Sequence, residues 1–422
     1  MTSSKPAEPA VLMIVSTLHP PGGAELQAFR LAEALNARGC RTEIMTYGGP
    51  SSGPEFPPGV VIHSLHGPFN RALSLFSRAR KAAWPAAAPA PAPRGERDFS
   101  GAPAALREGS AIRRFGWRSA PYALACFLDL CLFMLRRRGE YRVLHSHHLE
   151  WDAFMAALAG RLFGLKVLVK DSTMNGIIRL ESDLMGPLMK RFLAANCGFI
   201  ATTGTIEENF LAAGIPRERI FRIPNAVSVP AETGRANAAG ADCLFVGNLT
   251  QQPAKGFDVL LKAFVEVVRA RPDAKLEVIG GGDSAPYADY ARELGIAGSV
   301  VFRGKRRDVP AFLSAAALFV LPSRREGMSN ALLEAMACAV PCVATDISGS
   351  KDLISDGENG LLVPVEDPAA LAAAMLKLLG DPAAARRMGE KGRETVKRMC
   401  DIGAVAGKYA EAYGKITGTA RP

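Results

Sequence analysis

Two carboxylates eight positions apart, Glu326 and Glu334, sit in the run Glu326-Gly327-Met328-Ser329-Asn330-Ala331-Leu332-Leu333-Glu334-Ala335-Met336-Ala337. Ser329 and Asn330 are residue types that cap helix starts, and the Ala-Leu-Leu-Glu-Ala-Met-Ala run that follows is a strong helix former. Glu326 therefore belongs to a loop, and Glu334 lies about one turn into a helix. The free amides at such a helix start can hold an anion. Carboxylates beside those amides suit hydroxyl groups rather than phosphate, because they accept hydrogen bonds from a ribose or a hexose. The chemistry this pattern would serve is the binding of a sugar attached to a phosphorylated nucleotide.

The flanking residues supply a scaffold. A buried-strand pattern at 317–321 and Pro322-Ser323 precede the motif, and another strand pattern at 341–345 follows it. Strand, loop with one carboxylate, helix with the other: this is the carboxyl edge of a parallel sheet, where α/β proteins bind ligands. Along the whole chain, apolar runs alternate with amphipathic segments, as in repeated βα units. A first series places strands at 11–15, 42–46, 60–63, 143–147, 166–170 and 198–202. A helix is predicted over 24–37, with Leu26, Phe29, Leu31 and Leu35 as its apolar contributors and Gly39 as its stop. A second series places strands at 243–247, 275–279, 299–302, 318–321, 342–345 and 361–363. Its helices start near Gly256, Ser284, Asp308, Ser329, Ser348 and Asp367.

A chain of 422 residues exceeds what one hydrophobic core organises. The expected division is a first domain at 1–227, a linker at 228–242 rich in Pro, Ala, Gly and Asn, a second domain at 243–400, and a last helix within 401–422. Residues 82–110 begin with a Trp-Pro-Ala-Pro run, too dense in proline for helix or central strand, and read as a mobile insertion in the first domain. With 48% hydrophobic and 22% charged residues the chain is a folded protein, not a disordered one. A net charge of +10 reads either as a generally basic surface or as one drawn to anionic lipid or glycan. Nucleic acid is set aside, since no recognition motif of that class occurs and aromatics are only 7%. Eight cysteines without a C-x-x-C pair read as free thiols in a reducing cytoplasm, and no secretory pattern opens the chain.

Residues 122–135 are mostly apolar, interrupted by Asp129 and followed by Arg136-Arg137-Arg138. A bilayer span needs about twenty residues, so this segment is too short to cross one. It reads either as an ordinary buried helix or as one lying on an anionic membrane surface. In the second case Phe127, Leu128, Phe133 and Leu135 would be inserted, with Arg113, Arg114 and Arg118 adding positive charge.

Other candidate residues lie at predicted strand ends. Lys255 stands at a helix start, where positive charge opposes the helix dipole unless an anion is held there. Gly22 and Gly23 close the loop after the first strand and let the backbone approach a ligand. Gly280-Gly281-Gly282 lacks the G-x-G-x-x-G spacing of a dinucleotide site. His145, His147 and His148 are half of the six histidines. A zinc site would need further ligands at suitable spacing, and none accompanies them.

These motifs together resemble the retaining GT-B glycosyltransferases of family 4, also called group 1, over nearly the whole chain. Glu326 to Glu334 resembles the family's E-x7-E motif, and His19-Pro20-Pro21-Gly22-Gly23-Ala24-Glu25 its glycine-rich first loop. Ile223-Pro224-Asn225-Ala226-Val227 resembles the domain-joining segment. Phe245-Val246-Gly247-Asn248-Leu249 with Lys255-Gly256 resembles the opening of the donor domain. The resemblance implies an α/β protein of two doubly wound Rossmann-like domains facing across a cleft, with the last helix crossing back onto the first. The implied activity is metal-free transfer of a hexosyl unit from a nucleotide sugar to a glycan or lipid-linked acceptor in cell-surface polysaccharide or glycolipid synthesis. No cofactor is required. The enzyme would be cytoplasmic and peripheral on the inner face of the membrane.

By the same resemblance Lys255 and the Gly22–Gly23 amides contact the donor diphosphate. Gly327, Met328 and Ser329 line the donor, Glu334 takes the ribose and Glu326 the transferred sugar. His147, with His145 as the alternative, hydrogen-bonds that sugar, and Arg306 lies beside the base. Asn248 stands where the family commonly carries Arg. Asn donates a hydrogen bond but no charge, and Arg303, Lys305 and Arg306 are the basic residues that could supply one. Two other functions share the architecture: a nucleotide-sugar epimerase or glycogen-type synthase, and a catalytically silent nucleotide-sugar-binding scaffold. A synthase would carry a Lys-x-Gly-Gly loop, whereas here Pro20-Pro21 precede the glycines.

Overall fold

The computed structural model describes residues 10–15, 23–47, 59–65, 67–71, 120–171, 176–177, 186–231, 243–249 and 252–419. The expected insertion at 82–110, most of the 228–242 linker, Gly22, and Arg113, Arg114 and Arg118 lie outside the described residues.

The chain forms two compact units. Among the described residues, the first holds those from Ala10 to Asn225 together with those from Ile402 onward, and the second holds those from Ala226 to Asp401. The first unit contains β1 (Val11–Val15), α1 (Gly23–Ala37), β2 (Thr42–Thr46), β3 (Ile62–Ser64), α2 (Ala120–Arg136), β4 (Val143–Ser146), α3 (Trp151–Phe163), β5 (Lys166–Asp171), α4 (Gly186–Asn196), β6 (Cys197–Ala201), α5 (Gly204–Ala212) and β7 (Ile220–Arg222). The second contains β8 (Cys243–Val246), α6 (Gln252–Lys255), α7 (Phe257–Ala270), β9 (Leu276–Ile279), α8 (Ala285–Glu293), β10 (Val300–Gly304), α9 (Val309–Ala315), β11 (Leu318–Leu321), α10 (Asn330–Ala337), β12 (Cys342–Thr345), α11 (Ser348–Lys351), β13 (Leu361–Val363), α12 (Pro368–Gly380) and α13 (Pro382–Cys400). The last helix, α14 (Ile402–Thr417), belongs to the first unit and packs on α1 and β5.

Each sheet is wholly parallel. The first has the order β3-β2-β1-β4-β5-β6-β7 and the second β10-β9-β8-β11-β12-β13. Every residue of β1, β4, β6 and β11 is buried. Strands covered on both faces by helices read as unbroken apolar runs, which is why they were visible in the sequence. The short edge strand β7, with Ile220, Phe221 and Arg222, carries no such run and was not anticipated. Both sheets have the doubly wound order, so ligand-binding edges fall between β1 and β4 and between β8 and β11.

Residues 122–135 lie within helix α2. Ala123, Cys126, Leu130 and Met134 are buried against the sheet. Asp129 is buried as well, and it accepts bonds from the backbone N–H of Phe69 (3.2 Å) and Asn70 (3.0 Å) and from Asn70 Nδ2 (2.8 Å). The acid interrupts the apolar helix because it ties down the turn at 67–71. Of the four side chains expected at a membrane, Phe127 and Phe133 pack on the core, Phe133 lying 5.0 Å from the His63 ring. Leu128 is half-buried, whereas Leu135 is 58% exposed and is joined outside by Leu124. Among the described residues no helix is long and apolar enough to cross a membrane, and the eight cysteines are free thiols.

Candidate functional site

The second unit brings two of the expected side chains, Lys255 and Glu326, together at the point where its strand order reverses. The connection from β8 leads outward to β9 and that from β11 leads the opposite way to β12, so the loops after β8 and β11 bound a crevice. Lys255 ends α6 in the first loop, and Glu326 lies in the second. Lys255 Nζ stands 2.6 Å from Glu326 Oε1, and Ser323 Oγ donates to the same oxygen at 2.6 Å. The two side chains are only 19% and 11% exposed, so this is a charge-assisted bond at the edge of the core.

Close backbone contacts fix these loops. Gly256, directly after Lys255, has φ +61°, and a Cβ there would lie 2.0 Å from the Pro322 carbonyl oxygen. A Cβ on Gly280 would lie 1.6 Å from Gly247 O, and one on Gly349 1.7 Å from Gly327 O. The loops after β8, β9, β11 and β12 thus touch main chain to main chain, which only glycine permits. Arg324 adds a polar strut. Its N–H donates to Ala254 O (2.8 Å), and its guanidinium forks onto Asp258 (2.8 Å to each oxygen) and also binds Glu366. Burial works against its charge, but the bonds to Asp258 and Glu366 outweigh that and raise its pKa.

Helix α10 begins where the sequence placed it. Ser329 is the N-cap, its hydroxyl accepting from the Leu332 N–H at 3.5 Å. Met328 and Ser329 are buried, while Gly327 and Glu334 are half-buried. Asn248 is exposed just past β8. Two of the basic residues that could stand in for the missing Arg are engaged at the surface. Arg303 binds Glu277 (2.6 Å), and Arg306 binds Asp308 through two bonds (2.9 and 2.7 Å) with its guanidinium 5.4 Å from the Phe312 ring centre. Lys305 is exposed.

In the first unit, Gly23 opens α1, and His147 lies one residue beyond β4 with its N–H donating to Ile14 O (3.0 Å). His145 and His147 are both fully buried, their ring centres 4.3 Å apart. His145 Nδ1 pairs with Tyr413 Oη of α14 at 2.8 Å. Burial first, then the charge of Lys170, pulls the His145 pKa down to about 3. Burial, His145, Lys170 and His148 together hold His147 well below the ordinary value. Both rings are therefore neutral at pH 7, each with one N–H to donate and one nitrogen to accept, and neither brings a positive charge. His148 differs. Burial opposes its charge, yet Asp152 (3.6 Å) and Glu25 (3.9 Å) raise its pKa. Among the described residues no group of three or more His, Cys, Asp or Glu side chains could hold a metal ion.

Three contributors were not foreseen. Ser323 and Arg324 adjoin Glu326 in sequence, but their partners lie up to 66 residues away. Lys170 left one signal: a lysine directly after the apolar run Val167-Leu168-Val169 of the strand Lys166–Asp171.

Two family models match the chain. "Glycosyl transferases group 1" matches residues 240–381, and "Glycosyl transferase 4-like domain" matches residues 22–226. The chain belongs to the group 1, family 4 glycosyltransferases. This glycosyltransferase is 27% identical over 312 residues to the N-acetyl-alpha-D-glucosaminyl L-malate synthase of Bacillus anthracis, covering 69% of this chain and 79% of that one. It is 29% identical over 387 residues to a D-inositol 3-phosphate glycosyltransferase of Frankia alni, covering 86% of each. Among solved structures, Anabaena HepE in complex with UDP and glucose superposes with a TM-score of 0.68 at 16% identity, covering 96% of this chain and 98% of that one. That likeness establishes the shared GT-B fold of two Rossmann-like domains.

Proposed function

We propose that this glycosyltransferase works with retention of configuration and without a metal, moving a hexosyl unit from a nucleotide-diphosphate sugar to a glycan or lipid-linked acceptor. One observation carries the reading: the ammonium of Lys255 and the carboxylate of Glu326 meet at 2.6 Å at the switch point of the second sheet. Breaking the bond between the anomeric carbon and phosphate puts negative charge on the leaving diphosphate, and fixed cations and amides stabilise it best. Lys255 supplies the charge, while Glu326, released from it, accepts from the sugar hydroxyls. Glu334 takes the ribose, and Gly327, Met328 and Ser329 line the donor between them. Asn248 donates one neutral hydrogen bond, and Arg306 stays at the rim near the base. The acceptor hydroxyl attacks from the side of the leaving group, whose phosphate oxygen takes its proton.

The names of two relatives include an acidic compound, L-malate in one and inositol 3-phosphate in the other, which supports an acceptor that carries an anionic group, and HepE's UDP and glucose support the donor class. The exposed Leu124 and Leu135 of α2, followed by exposed Arg136 and Arg138, favour work at an anionic membrane surface. The test incubates the protein with UDP-, GDP- and ADP-sugars and candidate acceptors, with and without EDTA and anionic vesicles, and reads the anomeric configuration of product by NMR. Transfer with retention, unchanged by EDTA, is expected. An inverted product, or activity that EDTA abolishes and a divalent ion restores, overturns the mechanism. Donor binding with neither hydrolysis nor transfer would favour a silent scaffold.

A further inference from the structure

Lys170 is only 3% exposed, and it makes no ion pair and no hydrogen bond among the described residues. It is the penultimate residue of β5, at the carboxyl edge of the first sheet. The register pairs Ser146 of β4 with Val169 of β5, which sets Lys170 beside His147. Alternation along both strands puts His145, His147 and Lys170 on the same face. That is the face covered by α14, whose Tyr409 and Tyr413 rings lie 5.4 and 5.8 Å from that of His145. The cluster is short of partners in two further places: His145 Nε2 and Tyr409 Oη are buried with no hydrogen-bond partner among the described residues.

A buried ammonium without a counter-charge is costly, and stable proteins pair such groups or place them to receive a ligand. Among the described residues no acidic side chain offsets the cost. Burial is the sole cause acting on Lys170, bringing its pKa down to about 8, so at neutral pH the side chain is still mostly charged. The histidines around it are neutral and supply no compensation. The position is the edge of a doubly wound sheet where ligands bind, not the opposite edge, where a lysine would be a surface group.

We infer that Lys170 binds an anionic oxygen group, a phosphate or a carboxylate, of the acceptor substrate at the carboxyl edge of the first sheet. The inference rests on the reading of the chain as a transferase whose first unit takes the acceptor. Lys170 supplies the charge, and the adjacent neutral imidazole of His147 supplies a hydrogen bond. An acceptor of this class carries a phosphate or carboxylate beside its free hydroxyl, as an anionic glycan or a lipid-linked phosphate does, and a neutral glycan lacks the group that this site takes.

The experiment is an anion titration that needs neither donor nor turnover. Inorganic phosphate and malonate are titrated at constant ionic strength, with chloride as the balance, into the full chain carrying Lys255→Ala. That background removes the ammonium assigned to the donor diphosphate. The melting temperature is compared with the same protein carrying Lys170→Met or Lys170→Arg in addition. One of the two anions should raise the melting temperature saturably by about 2 °C or more; which one does so separates a phosphate-bearing acceptor from a carboxylate-bearing one. Lys170→Met should abolish that rise while melting no lower than its parent without anion, which shows that it folds. Lys170→Arg should restore part of the response. An equal saturable rise with and without Lys170, or no rise from either anion in the parent, overturns the inference. A chain that fails every transfer assay can still pass this titration, so the two readings fail separately.

Discussion

The contact between Lys255 and Glu326 makes an opposed prediction for its two partners. At 2.6 Å and an effective dielectric constant of about 20, two unit charges attract by about 6 kcal/mol. Desolvation of both ions removes much of this, and for side chains 19% and 11% exposed a net coupling of about 1–3 kcal/mol remains. A double-mutant cycle with Lys255→Met and Glu326→Gln, read by urea unfolding of the ligand-free protein, should return a coupling of that size. Binding should then split the pair. If Lys255 leaves Glu326 for a diphosphate, Lys255→Met loses a charge-assisted bond, and nucleoside diphosphate affinity falls about 10- to 100-fold. Glu326→Gln removes the competitor for that ammonium, so the same affinity holds or rises a few-fold. Transfer should fall about 100-fold or more in both variants, because each loses a transition-state contact. Calorimetric titration with UDP, GDP and ADP decides the binding half. Equal weakening in both variants, or a coupling indistinguishable from zero, would refute the assignment of Lys255 to the phosphates.

Two further outcomes follow from the geometry. Gly256→Ala would place a methyl group 2.0 Å from Pro322 O at φ +61°, which should cost about 2–4 kcal/mol from overpacking and left-handed strain together. Gly281→Ala, with nothing within 4 Å, should melt close to wild type, and parity between the two variants would contradict the described loop contact. Glu43 is buried, which by itself would raise its pKa, but bonds from His63, Tyr141 and Arg41 lower it to about 2. A depressed folded-state pKa contributes stability above the unfolded value of 4.5, lost as pH falls towards 2. Allowing for solvent screening, this amounts to about 2 kcal/mol. Glu43→Gln should therefore lower the urea midpoint at pH 6, and the gap to wild type should close near pH 2. A gap that persists at pH 2 would show that the charge of Glu43 is not its source.

The sequence alone determined whatever local pattern encodes. Strands such as Val11–Val15 and Leu318–Leu321 were legible because a parallel strand buried on both faces must be apolar throughout. The start of α10 was legible because Ser329 satisfies an orphan amide within its own turn. The spacing of Glu326 and Glu334 is weak by itself, and it named the family only together with the Gly22-Gly23 loop, the segment at 223–227 and the run at 245–249 with Lys255-Gly256. What the sequence could not decide depends on contacts between distant residues. The Lys255–Glu326 bond spans 71 positions and the Arg324–Asp258 fork 66, and no periodicity encodes either. The same holds for α2: its apolar residues were evident, but which of them face water was settled by the sheet and His63, so Phe133 turned inward and Leu124 outward. A lysine near the end of a strand is an unremarkable surface residue until helices cover that face. Only packing made Lys170 a buried charge beside two neutral histidines, because burial, unlike composition, is a property of neighbours brought together by the fold.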